Sequence, residues 1–179
     1  MTSMATPLRS VPEHVGEGPD PLGRSFERFF DAENRRLFGA LAVMSGNRAE
    51  AEEVMQDAFL TVWERWDRVS EMDSPEGFLY RTALNIYRKR LRRAAVAVRR
   101  ATHLLTEDDA LGNVEARDEI FRLLRNLTPR EREAIVLTAY LGYSTKEAGE
   151  LLGIKANTVR VLTTRARASL RGQTMEEPT

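Results

Sequence analysis

The sequence predicts an all-α protein of two small helical domains, a three-helix bundle and a four-helix unit with a helix-turn-helix, joined by a flexible linker. Three observations predict it. Apolar residues recur every three or four positions almost throughout, and no stretch shows the alternation of a convincing strand. Asn47 with Glu50 and Ser144 with Glu147 have the spacing of a capping box, so helix starts are marked locally. Between two periodic regions, residues 94–113 lose the helical period, which reads as a connection.

Residues 1–24 are rich in Pro and Gly and read as a disordered leader. A first helix is expected over Ser25–Met44, with Phe26, Phe29, Phe30, Leu37, Phe38 and Leu41 inward. The second begins at Asn47 and is expected to reach Trp66, with Ala51, Val54, Ala58, Val62 and Trp66 inward. Ser74 caps the third, Pro75 takes its first position, and Phe78, Leu79, Ala83, Ile86 and Leu91 carry its apolar side toward Arg93. These three form the bundle of residues 25–93. In the second unit, 114–171, a fourth helix is expected over Val114–Asn126, and a fifth opens at Thr128 and Pro129 and ends near Leu141-Gly142. Ser144 starts a short sixth helix and Gly153 ends it. Val159, Leu162, Ala166 and Leu170 then place one apolar face on a seventh. Residues 172–179 read as a frayed tail.

Charge separates these segments. The chain has 27 basic and 27 acidic residues, yet Arg81–Arg100 and Lys155–Arg171 are strongly basic while Arg48–Glu76 and Glu107–Glu119 are acidic. Zero net charge is therefore no argument against nucleic acid. With no cysteine, and with histidines only at His14 and His103, no metal, cofactor or catalytic constellation is expected, and the chain does not read as an enzyme. Nothing resembles an apolar signal or a membrane span, which places the protein in the cytoplasm by expectation.

Three faces have binding chemistry. On the seventh helix Asn157, Thr158, Arg160, Thr164 and Arg165 project opposite the apolar stripe, a set suited to base edges and phosphates in a major groove. On the third, Arg81, Asn85, Arg88, Lys89, Arg92 and Arg93 are interleaved with Tyr80 and Tyr87, cations and aromatics that suit a phosphate backbone with unstacked bases. On the second, Glu53, Gln56, Asp57, Leu60 and Glu64 form an acidic strip with one exposed leucine, which is either a solvated face or a docking surface.

AEEVMQDAFLTVWERW (51–66), GFLYRTALNIYRKRLRR (77–93) and LTPREREAIVL (127–137), followed by the helix-turn-helix, resemble the extracytoplasmic-function (ECF) RNA polymerase sigma factors, which keep conserved regions two and four. The resemblance implies that 25–93 is region two and 114–171 region four. It implies that Glu53, Gln56, Asp57 and Leu60 dock on the beta-prime clamp helices of core RNA polymerase, while region four meets the beta flap. Arg81, Asn85, Arg88, Lys89, Arg92 and Arg93 would guide minus-ten promoter DNA, and the loop Asp67–Ser74 would capture a flipped base. Lys155, Asn157, Thr158, Arg160, Thr164 and Arg165 would meet the minus-thirty-five element. Glu107, Asp108 and Asp109 of the linker would lie in the later path of RNA, and an anti-sigma factor would control the protein.

The chain departs from the family pattern at several positions. Phe78 replaces a tryptophan, Lys89 an acid, and Lys155 a small capping residue. Because lysine cannot accept from a backbone amide, Asn157 is expected to cap the last helix. Leu162-Thr163 stands where arginine-leucine is usual, so the core contact is expected to slide by one position. A helix-turn-helix regulator acting without polymerase, or a helical adaptor, would explain parts of the chain but leave the acidic strip or the basic helices without a role.

Overall fold

The computed structural model describes residues 25–101, 124 and 126–174, and they are helical apart from turns and caps. Local chemistry places most helix ends. Helix α1 (Phe26–Ser45) starts at Ser25, whose hydroxyl accepts from the Arg28 amide at 3.2 Å, and stops at Gly46 with φ 68°, a left-handed conformation that glycine adopts without a Cβ clash. Helix α2 (Arg48–Trp63) starts where the Asn47 side chain accepts from the amides of Ala49 and Glu50.

Helix α2 ends at Trp63, short of the expected Trp66, and the chain makes one further turn, α3 (Trp66–Val69). Trp66 instead packs with centroid distances of 5.5 and 5.0 Å on Phe26 and Phe29. Asp67–Ser74, expected as a loop, lies partly in α3 and is anchored by fully buried Val69 and by Met72 against the core. Helix α4 (Pro75–Ala101) is capped by Ser74, which accepts from the Gly77 amide at 3.1 Å. It runs past the expected end at Arg93 into the predicted linker, because Ala94 and Ala95 are strong helix formers and no Gly or Pro stops them.

Leu37, Leu41, Val54, Ala58, Val62, Leu79, Ala83 and Leu84 fill the bundle core, each side chain contributing about 1.5–3 kcal/mol of burial if large. Phe30, expected inward, is 38 % exposed, although its ring lies 4.7 Å from Phe59.

In the second unit, α5 (Pro129–Ile135) opens with a complete Thr128/Glu131 capping box and continues as a π-helical turn, Val136–Tyr140, where the Leu141 amide reaches back to the Val136 carbonyl at 3.0 Å. Helix α6 (Thr145–Leu152) has the complete Ser144/Glu147 box and ends at Gly153 with φ 66°. Helix α7 (Ala156–Thr174) follows, running three residues beyond Arg171 into the expected tail. The leader, most of the predicted linker with Glu107, Asp108 and Asp109, and the fourth predicted helix apart from Leu124 and Asn126 lie outside the described residues.

The two units pack on each other through named polar contacts. Arg132 of α5 donates to the Met44 carbonyl at 2.7 Å, and Tyr87 of α4 donates to the same oxygen at 2.9 Å. That oxygen is one of the carbonyls a helix C-terminus leaves unpaired, and the guanidinium also meets the negative end of the α1 dipole. Arg36 donates to the Leu141 carbonyl at 3.1 Å, and the Tyr80 and Tyr143 rings meet edge-on at 5.8 Å.

Candidate functional site

The helix-turn-helix depends on a close backbone approach. A Cβ on Gly149 would stand 2.7 Å from the Ile154 carbonyl oxygen and 3.3 Å from the Ala156 nitrogen, so only glycine lets α6 lie against the turn. Val159, Thr163 and Ala166 of α7 face inward, with Leu162 and Leu170 half-buried. Thr163 is buried because its hydroxyl returns to the Val159 carbonyl at 2.8 Å, which removes the donor from the apolar surroundings. The slide expected at Leu162-Thr163 thus takes the form of a buried threonine beside a half-buried leucine.

Asn157 does not cap α7. It is the second residue of the helix, and its side-chain oxygen accepts from Arg160 at 3.2 Å. The turn closes with backbone bonds from the amides of Thr158 and Val159 to the Lys155 carbonyl, at 2.9 and 3.2 Å. Lys155, Asn157, Thr158, Arg160, Thr164 and Arg165 are all exposed, so the predicted reading face is assembled and open. Helix α7 has Arg160, Arg165, Arg167 and Arg171 and no acid, leaving a uniformly positive field toward solvent.

On α4 the predicted cations divide. Arg81, Asn85, Lys89, Arg92 and Arg93 are exposed, and helical spacing places the first four on one face. Arg88 lies at the edge of that face and is engaged elsewhere. Its Nε and Nη2 donate to the two carboxylate oxygens of Glu133 in α5 at 2.8 and 2.7 Å, and Nη1 reaches the Leu152 carbonyl at 3.4 Å. Glu133 is 2 % exposed, with Arg130 a further 3.6 Å away. The interleaved aromatics are not platforms for bases: Tyr80 and Tyr87 are buried, with hydroxyls on Glu33 at 3.1 Å and on Met44. Burial pushes both phenols up, Tyr87 to about 12.

The predicted docking strip on α2 is exposed at Glu53, Gln56, Asp57 and Leu60. Its acids are not free charges. Arg90, on the opposite side of α4 from Arg81, bridges Glu53 and Asp57, the latter at 2.8 Å, and these bonds push its own pKa up. Leu60, expected exposed, is 54 % exposed, but sequence reasoning missed the second apolar side chain of this surface, Trp63, 45 % exposed one helical turn away. An aromatic three residues after an exposed leucine was the available signal.

Among the described residues there is no group of His, Cys, Asp or Glu able to hold a metal, and no helix long and apolar enough to cross a membrane.

Residues 29–96 match the family model described as Sigma-70 region 2, and residues 117–170 match Sigma-70, region 4. The chain is similar to the RNA polymerase sigma factor NccH of Alcaligenes xylosoxydans xylosoxydans, 31 % identical over 165 residues that cover 82 % of this chain and 84 % of that protein. The ECF RNA polymerase sigma factor SigC of Mycobacterium tuberculosis is 28 % identical over 175 residues, covering 95 % and 94 %. Among solved structures, CnrH in complex with the cytosolic domain of CnrY superposes with a TM-score of 0.63 at 27 % identity, covering 87 % of this chain and 90 % of that one. The sigma factor RpoE of Bartonella quintana, solved with the anti-sigma factor NepR, gives 0.72 at 20 % identity over 86 % and 98 %, a likeness of fold.

Proposed function

We propose, from the premise that this chain is a sigma factor of the ECF class and belongs to the sigma-70 family, that it binds core RNA polymerase, brings it to promoters and helps open the minus-ten region. The observation that carries this reading is α7. An exposed, acid-free face of hydrogen-bonding side chains stands opposite a buried stripe, on a helix seated by the tight turn at Gly149. In that reading Asn157, Thr158, Arg160, Thr164 and Arg165, with Lys155 at the turn, meet the minus-thirty-five element. Arg81, Asn85, Lys89, Arg92 and Arg93 guide the minus-ten strands, joined by Arg88 when it leaves Glu133.

The α2 surface is the polymerase contact. Leu60 and Trp63 supply apolar anchors, and Gln56 with the Arg90-bridged acids supplies the polar rim, an arrangement that favours binding over free solvation of the charges. Region four takes the beta flap. An anti-sigma factor is the regulating partner, a reading supported by the similar protein CnrH having been solved with the cytosolic domain of CnrY.

Promoter-dependent transcription with purified chain and core polymerase tests the whole. The wild type should confer specific initiation on inactive core. Replacing Gln56 and Leu60 together by Ala should weaken core binding tenfold or more with helicity intact, since neither side chain enters the core. Unchanged core affinity would remove the docking assignment, and no initiation under any condition would remove the function.

A further inference from the structure

The centre of the α7 reading face is apolar. At about 100° per residue, Val161 stands roughly 160° round the helix from buried Val159, at the pole facing away from the core. It is 43 % exposed. The positions that flank it on the helix surface, three and four residues to either side, are Asn157, Thr158, Thr164 and Arg165, all polar and exposed. A branched aliphatic side chain in the middle of a hydrogen-bonding face contributes nothing to the fold and gains nothing from water. The base edges of a major groove offer it one apolar feature, the 5-methyl group of thymine.

We infer that Val161 reads a thymine methyl in the upstream promoter element, and so sets specificity at one base position where hydrogen bonding does not. The inference rests on α7 being the promoter-reading helix. Its polar neighbours fix the register that brings the Val161 methyls against the base, and the four arginines of the helix hold the phosphates around it.

The test uses the full chain with core polymerase and an upstream sequence selected from a random duplex pool. Each selected thymine is replaced singly by deoxyuridine, which removes the methyl and leaves every hydrogen-bonding group. At one position wild-type affinity should fall about three- to fivefold, the worth of one methyl-sized burial. Val161→Ala should lose a similar factor on thymine DNA and little more on the deoxyuridine duplex at that position. Losses that multiply at every position, or a selected sequence without thymine, would overturn the role of Val161 while leaving α7 as the reader. A pool that yields no upstream preference would overturn both.

A different observation carries a second inference. All three guanidinium nitrogens of Arg88 have acceptors in the second unit. Arg88 cannot hold that fork and a phosphate together. We propose that the Arg88–Glu133 pair is an autoinhibitory latch, with region two free to use its whole basic face only when the units separate. Separation also returns Glu133 to water, where its charge is solvated.

Because the chain has no cysteine, Glu52→Cys and Lys146→Cys, both exposed and one in each unit, accept spin labels specifically. The wild type should give one narrow distance distribution and Glu133→Gln a broad one. The exchanged pair Arg88→Glu with Glu133→Arg should narrow it again. Free Glu133→Gln chain should bind a single-stranded promoter oligonucleotide several-fold more tightly than wild type. Distributions insensitive to Glu133→Gln, or an oligonucleotide affinity that does not rise, would overturn the latch.

Discussion

Arg88 and Arg90 are two positions apart on α4, about 200° round the helix, and that rotation gives them opposite employment. Arg90 turns toward α2 and bridges Glu53 and Asp57, whereas Arg88 turns toward α5 and takes Glu133. The tyrosines beside them are core. Tyr87 is neutral when protonated and ionises near 10.0 unfolded but at about 12 folded, chiefly because burial disfavours the phenolate. The folded state therefore holds the proton more tightly, so the stability it contributes is fully present below about pH 10 and is lost as pH rises through about 12. Tyr87→Phe loses the bond to Met44, about 1 kcal/mol at neutral pH, but should lose less stability than wild type between pH 10 and 12. Urea midpoints across that window, with tyrosinate absorbance, check it, and parallel losses in both proteins would contradict it. The directions of Leu79, Ala83, Arg81, Asn85 and Lys89 on this helix were legible in the sequence, and those of Tyr80, Tyr87 and Arg88 were misread. Tyr80, Ala83, Leu84 and Tyr87 are spaced three, four and seven apart, an apolar stripe that the run of arginines obscured.

At the scale of the element, helix starts were legible because a cap is a conversation between residues three apart. Asn47, Thr128 and Ser144 all receive the amides their spacing promised, but the box expected at Asn47 is only half made, because the Asn47 amide donates to the Ser45 hydroxyl at 3.1 Å and not to Glu50. Ends set by tertiary packing were not legible. Helix α2 breaks early, with Trp66 among the phenylalanines of α1, and nothing local announces the π turn after Ile135. Absent stop signals misled as well, since α4 and α7 both outrun the predicted boundaries. The helix-turn-helix offers a sharp test of one backbone approach. Gly149→Ala should lower stability by about 1–3 kcal/mol, because the added methyl meets the Ile154 carbonyl and the Ala156 backbone, which cannot rotate away as a side chain can. Ala at Gly172, where nothing lies within 4 Å, should cost nothing comparable. Equal thermal midpoints for the two variants would show that the turn relaxes freely.

Across the whole molecule, sequence-distant partners close the structure. Arg36 reaches Leu141, Arg132 reaches Met44, and Arg88 reaches Glu133, with separations of 105, 88 and 45 residues. No periodicity encodes such pairs, because they depend on how two finished surfaces meet. The candidate binding faces, by contrast, are each a property of one amphipathic helix, which is why most of the residues expected on them are indeed exposed. Promoter opening should be separable from recruitment on this architecture. Asn85 is exposed on α4, away from the α2 surface, so Asn85→Ala should leave core binding and upstream binding intact and impair melting. Permanganate reactivity of promoter thymines would report the defect, and a premelted bubble should restore transcription, since unstacking costs a few kcal/mol that the bubble removes. Normal opening of duplex DNA by the variant would reassign the step. This substitution is cleaner than replacing Asp67–Ser74, where buried Val69 would confound the result.

The π turn has a geometric consequence of its own. Five residues, Val136–Tyr140, span a stretch that an α-helix would cover with one fewer before its next hydrogen bond. Removing exposed Ala139 would let the turn close as ordinary α-helix, swinging everything beyond it by about 100° and drawing it in by about 1.5 Å. The carbonyl of Leu141 would no longer face Arg36, yet the capping boxes and the tight turn at Gly149 would survive untouched. Chain length at this single point thus acts as an angular setting: one residue fewer, and an intact helix-turn-helix points in another direction.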